Sequence, residues 1–145
     1  MKQQRNGFTL IELVVVILIL GILAGVGAPK LFSTSGLATE NGVKQTLSII
    51  RDGIELYSAE NAGAYPPCAG DGVGANFKTA MATFIRGKFP TCPVGTEDNN
   101  VKLSAANPVV PDNSTGWMYN QTTGEFICNS TSLIPSDGVT PYDDL

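Results

Sequence analysis

The chain has 145 residues, room for one domain with a modest core and too few for two lobes around a catalytic cleft. Nine Lys and Arg against thirteen Asp and Glu give a net charge of -4, the wrong sign for binding by phosphate neutralisation, so no nucleic-acid partner is expected. There is no His, which removes Ser-His-Asp and Cys-His catalysis, His-ligated zinc and the usual general base near neutral pH, and no catalytic constellation replaces them; the chain is not expected to be an enzyme.

The first predicted element is a long apolar helix. Leu13 to Ala28 reads LVVVILILGILAGVGA without a charge, and Phe8 to Pro29 makes 22 residues, about 33 Å as a helix, enough to cross a hydrocarbon core of about 30 Å. Lys2 and Arg5 precede it, so the positive-inside rule keeps the N-terminus cytoplasmic and sends the residues after Lys30 across the membrane in a single pass. Two residues oppose a cleaved secretory signal: Glu12 sits inside the apolar run, and Pro29 directly follows the small-residue stretch where cleavage would fall. A plain anchor gives no reason for Glu12, since a carboxylate near the bilayer centre costs about 2.5 kcal/mol or more.

Residues 6–32, NGFTLIELVVVILILGILAGVGAPKLF, resemble the N-terminal signature of type IV pilins and type II secretion pseudopilins. The resemblance implies cleavage by a prepilin peptidase after Gly7, removing a leader of residues 1–7, and methylation of the new amine on Phe8. It also implies a role for Glu12 in subunit assembly, and positions at Gly21 and Pro29 where the helix loosens in the filament. The chemistry is self-consistent: a Phe8 ammonium one turn from Glu12, or supplied by a neighbouring subunit, would pair with the carboxylate in low dielectric and set the register between subunits. Pro29 lacks an amide donor, and glycines at 21, 25 and 27 weaken a helix by about 1 kcal/mol each relative to Ala, although small residues also permit close helix packing.

Downstream, Val43, Leu47, Ile50, Ile54 and Tyr57 follow helical spacing, and Asn61 with Gly63 offers a C-cap, so the amphipathic helix is expected to continue the membrane helix as one spine of about 50 residues. Glu40 with Lys44 and Arg51 with Glu55 are expected i,i+4 pairs. The GDGVG run, residues 70–74, has neither the strand before nor the GK[ST] after that a phosphate loop requires and reads as a turn. A second helix is expected from Asn76, as N-cap, to Arg86, with Phe77, Ala80, Met81 and Phe84 on one face. Trp117 with Tyr119 and Phe126 with Cys128 alternate around a polar turn, a β-hairpin; Val101–Leu103 and Val109–Val110 are weaker strands. The expected fold is α+β, a long N-terminal helix packed on a small antiparallel sheet, as in pilins, with residues 8–29 as the membrane and assembly segment and residues 30–145 as an extracytoplasmic domain.

Cys68, Cys92 and Cys128 would then lie in an oxidising compartment, where at most one pair can form. Cys68 with Cys92 is favoured, because both lie in Pro-flanked loops and closing 25 residues is worth roughly 3.5 kcal/mol of loop entropy; pairs with Cys128 stay open, as does a set of three buried thiols. No cofactor is required. Glu97, Asp98, Asn99 and Asn100, or Asp137, Asp143 and Asp144, offer oxygen ligands for calcium, against the reading of plain solvated loops, and no EF-hand pattern is present. Asn113, Asn120 and Asn129 open N-x-[ST] triplets, which carry little weight if the resemblance makes this a bacterial protein.

Together these readings describe a structural subunit of the bacterial inner membrane that polymerises into a pseudopilus or pilus. The expected partners are copies of itself and related subunits, the prepilin peptidase, an inner-membrane assembly platform and membrane lipid. The order YPP, short helix, FPTCPVG, GWMYNQTTGE resembles the major pseudopilin layout more than that of adhesive pilins. The competing class is a non-polymerising anchored module whose outer domain binds a ligand.

Overall fold

The computed structural model describes residues 7–145, apart from the side chains of Pro29, Phe32 and Ser33. The proposed leader, Gly7 aside, lies outside the described residues. Helix α1 runs from Leu10 to Glu60, 51 residues, as the spacing of its two halves predicts. The chain divides into two compact units, one ending at Ser35 and one spanning Gly36–Leu145, and α1 contributes to both.

In the second unit α1 buries Val43, Leu47, Ile50 and Ile54, the stripe read from the sequence. Its end is capped as expected: Asn61 Nδ2 donates to the Tyr57 carbonyl at 2.8 Å, and the Gly63 N–H donates to the Ser58 carbonyl at 2.8 Å from a left-handed φ of 87°. Helix α2 covers only Ala75–Met81, shorter than predicted, and starts from Gly74 rather than Asn76. Asn76 Oδ1 instead accepts the Ala69 N–H at 2.7 Å and the Phe77 N–H at 3.0 Å, fastening the preceding loop. The Phe84 and Ile85 N–H groups both turn back to the Met81 carbonyl, so the chain leaves the helix early and presents Ile85 to the core.

Strands β1 (Val101–Leu103), β2 (Trp117–Tyr119) and β3 (Phe126–Cys128) form one sheet in the order β1-β2-β3. The β2–β3 hairpin is antiparallel, with Trp117 opposite Cys128 and Tyr119 opposite Phe126. The expectation of an antiparallel sheet fails at β1, which pairs with β2 in parallel, so the sheet is mixed. The 13 residues between β1 and β2 return the chain to the starting end of the sheet, which a tight hairpin turn could not do. Val109–Val110 is not a strand: Pro108 and Pro111 supply no N–H, and Val109 instead packs with Met118 and Ile127 on the second face of the sheet.

Trp117, Tyr119, Phe126 and Cys128 face the main core with the α1 stripe and α2. Phe77 lies at its centre, 4.5 Å from the Tyr119 ring and stacked 5.8 Å from Phe126. The α+β layering of helix on sheet is the one the sequence calls for.

Candidate functional site

The N-terminal segment is built from its backbone outward. Gly7, Phe8 and Thr9 are not helical, and Phe8 is 92% exposed, so the Gly7–Phe8 bond lies in an open, non-helical stretch directly before α1. Thr9 and Glu12 form a capping box: the Glu12 carboxylate accepts the Thr9 N–H and hydroxyl, each at 2.8 Å, while Thr9 Oγ1 accepts the Glu12 N–H at 3.3 Å. T-x-x-E before an apolar run is the sequence signal for this cap, a role of Glu12 separate from its charge. Phe8, Ile11, Glu12, Val15 and Val16 line a shallow concavity on the same side of the segment.

Leu10–Ala28 is long and apolar enough to cross a membrane, with a mean hydropathy of 2.8 and no residue buried within the chain. Cβ atoms built at Gly21, Gly25 and Gly27 meet nothing within 4 Å, so no contact inside this chain requires the glycines. Helix α1 passes through Gly21 and Pro29 without a break. Pro29 nevertheless has no N–H to offer the Gly25 carbonyl, leaving the ladder one bond short there.

The description "Prokaryotic N-terminal methylation motif" fits residues 2–28. Type II secretion system core protein G of Pseudomonas aeruginosa is 38% identical over 65 residues, which cover 45% of this chain and 45% of that protein. The corresponding protein of Klebsiella michiganensis is 34% identical over 65 residues, again 45% of each chain. That of Dickeya chrysanthemi is 32% identical over 78 residues, 54% of this chain and 50% of the relative. The N-terminal segment thus carries this methylation motif, and the chain is similar over about half its length to core proteins G of type II secretion systems. It spans about half the length of the curated relatives it matches, and no solved structure matches it.

The remaining candidates of this pilin-like chain fall in its second unit. The three cysteines are buried thiols. The favoured pair, Cys68 with Cys92, is not the one that meets: Cys92 Sγ lies 3.4 Å from Cys128 Sγ, and Cys68 Sγ turns to the Ala69 carbonyl at 3.7 Å. Loop-length arithmetic ignores what holds Cys92 in place. Trp117 Nε1 donates to the Pro90 carbonyl at 3.0 Å and the Cys92 N–H to the Asp98 carbonyl at 2.9 Å, which brings Cys92 to the strand end where Trp117 pairs with Cys128.

Asp137 Oδ1 accepts the Val139 and Thr140 N–H groups at 2.8 and 3.0 Å, closing a turn, while Asp143 and Asp144 lie in the 3-10 helix Tyr142–Asp144. Asp98 Oδ1 accepts the N–H groups of Asn100 and Gly116, each at 2.8 Å. Among the described residues no three His, Cys, Asp or Glu side chains gather as a metal set. The GDGVG run is a turn, closed by Asp71 Oδ1 on the N–H groups of Val73 and Gly74.

Two organising asparagines went unread in the sequence. Asn129 is buried and binds Asp112 through both ends of its amide, with Thr115 Oγ1 at 3.0 Å as a further acceptor. Asn120 accepts the Thr122 N–H at 2.8 Å and donates to the Ala106 carbonyl at 2.7 Å, shaping the hairpin turn.

Proposed function

We propose that this chain is a structural subunit of a type II secretion pseudopilus, anchored in the inner membrane by Leu10–Ala28 and assembled through that helix. The observation that carries the reading is the junction at Phe8. An exposed, non-helical Gly7–Phe8 bond precedes a capped apolar helix whose first turn holds a lone carboxylate, within a segment that fits the N-terminal methylation motif. Cleavage there by prepilin peptidase and methylation of the Phe8 amine would leave a charged ammonium beside Glu12. The secretion pseudopilus is preferred over a pilus because the relatives cited are core proteins of type II secretion.

On this reading residues 30–145 lie outside the cytoplasm, a topology supported by Lys2 and Arg5 before the apolar helix. The apolar surface that Leu10–Ala28 leaves exposed can be covered in two settings, lipid before assembly and neighbouring helices after it. Gly21, Gly25 and Gly27, which touch nothing in the isolated chain, suit close approach of such neighbours, and the missing bond at Pro29 lets the helix loosen there. Copies of this chain, related subunits and an inner-membrane assembly platform are the partners this role needs.

Intact-mass measurement of protein purified from its native membrane tests the reading. The expected chain begins at Phe8 and carries one added methyl group. A chain beginning at Met1 would place the protein among plain single-pass anchors.

A further inference from the structure

We propose that Cys92 and Cys128 form an intramolecular disulfide in the exported protein, with Cys68 left as the free thiol. The two sulfurs lie 3.4 Å apart, and both residues are fully buried. They need to approach by about 1.4 Å to reach a covalent S–S length of about 2.05 Å.

The pair is held from both sides. Cys128 ends β3 opposite Trp117. Cys92 is carried by a loop that the Trp117 indole grips at Pro90 and that Asp98 closes through its carbonyl. Gly116 lets this loop lie against the sheet, since a Cβ there would stand 2.9 Å from Cys92 Cβ and 2.2 Å from the Asp98 carbonyl oxygen. The fold thus brings the two sulfurs side by side.

The exchange balances with an oxidising dithiol carrier. The thiolate of one cysteine displaces one sulfur from the carrier's disulfide and forms a mixed disulfide. The other cysteine, after losing its proton, attacks the protein sulfur of that mixed disulfide and releases the carrier's second sulfur. Two electrons and two protons pass to the carrier, which leaves as a dithiol. Because neither sulfur is solvent-accessible in the folded chain, the exchange belongs to folding, before the 90–98 loop closes on the sheet. In the folded chain Cys68 stands apart from the pair, its Sγ turned to the Ala69 carbonyl at 3.7 Å. Its thiol is pushed up to about 11 by burial, and its N–H is bound to Gln121 Oε1 at 3.1 Å.

The proposal rests on export of the second unit, and the test separates the two. In one arm, reduced full-length chain in detergent is refolded in a glutathione redox buffer, alkylated and mapped by peptide mass. A Cys92–Cys128 peptide with alkylated Cys68 is expected; a bond to Cys68, or three alkylated thiols, overturns the proposal. In the other arm, cells are quenched in acid, alkylated and mapped, while protease added to spheroplasts reports which side of the membrane the second unit occupies. Three thiols on a protease-accessible unit overturn the proposal. Three thiols on a protected unit overturn the topology instead, and the refolding arm then decides the pairing. The Cys68→Ser variant should keep the bond in both arms, whereas Cys92→Ser should yield two alkylated cysteines.

Discussion

The Glu40 carboxylate accepts both the backbone N–H and the hydroxyl of Ser136, at 3.0 and 2.8 Å, tying α1 to a loop 96 residues further along the chain. Its other partner is Lys44, 2.7 Å away on the next turn of the helix. The Lys44 ammonium and the Ser136 donors hold the Glu40 carboxyl below the usual carboxylate range, against the opposing effect of burial. Lys102 does the same for Asp112, pulling its carboxyl well down, with Asn129 and Ser114 assisting.

Both groups have a folded pKa lower than the unfolded value of about 4. Their contribution is fully present above that value and is lost as the pH falls through the depressed folded values. The melting temperature should therefore be level between pH 7 and about pH 5 and fall steeply below about pH 4. Glu40→Gln should flatten part of that acid limb at a lower starting stability. Acid profiles of identical steepness in the two proteins would remove Glu40 from this role.

Local pattern made the helices and the hairpin legible, because 3.6-residue and two-residue periodicities depend only on neighbours along the chain. Glu40 with Lys44, an i,i+4 pair, was legible for the same reason. What stayed hidden depends on loop closure. Arg51 was expected to meet Glu55 but reaches the Phe126 and Leu145 carbonyls, partners 75 and 94 residues away. Cys92 meets Cys128 rather than Cys68 because a Trp117 hydrogen bond positions its loop, and β1 joins in parallel because a loop of no regular period returns the chain. At the N-terminus the motif is legible, and the capping box beneath Glu12 is written in the same residues as T-x-x-E.

Arg51 should carry substantial stability. Its Nε and Nη2 donate to the Phe126 and Leu145 carbonyls at 3.1 and 2.7 Å, closing β3 and the C-terminal residue onto α1. Arg51→Ala should cost about 2 kcal/mol in urea unfolding of the detergent-solubilised chain, the range for hydrogen bonds from charged donors. Arg51→Lys, which cannot reproduce the two-nitrogen fork, should recover less than half of that loss. A loss below about 0.5 kcal/mol for the Ala variant would show that the two contacts are energetically idle.

Gly116 and Gly53 should respond very unequally to the same change. A Cβ at Gly116 would lie 2.2 Å from the Asp98 carbonyl oxygen, a backbone atom held by the closure of its own loop. Gly116→Ala should cost about 3 kcal/mol. A Cβ at Gly53 would lie 2.7 Å from Met81 Cε, the mobile end of a flexible side chain, and the helix gains about 1 kcal/mol of propensity from Ala. Gly53→Ala should therefore stay within about 1 kcal/mol of the parent in the same urea series. The reverse ranking would contradict the packing of the 92–98 loop against β2.

The central claim, that this helix assembles subunits through the charge on Glu12, is tested most directly by filament assembly from Glu12 variants expressed with the secretion machinery. Glu12→Gln keeps an acceptor for the Thr9 N–H, so the capping box survives while the charge that a Phe8 ammonium needs is lost. Glu12→Ala removes both. Sheared surface fractions and electron microscopy should show filaments from the parent chain and a loss of at least about tenfold in both variants, as expected when about 1.4 kcal/mol or more of pairing disappears. Gly7 cleavage and membrane insertion should be unchanged in both. Parent levels of filament from Glu12→Gln, alone and in competition with the parent chain, would show that Glu12 serves as a helix cap and not as the charge that registers one subunit against the next.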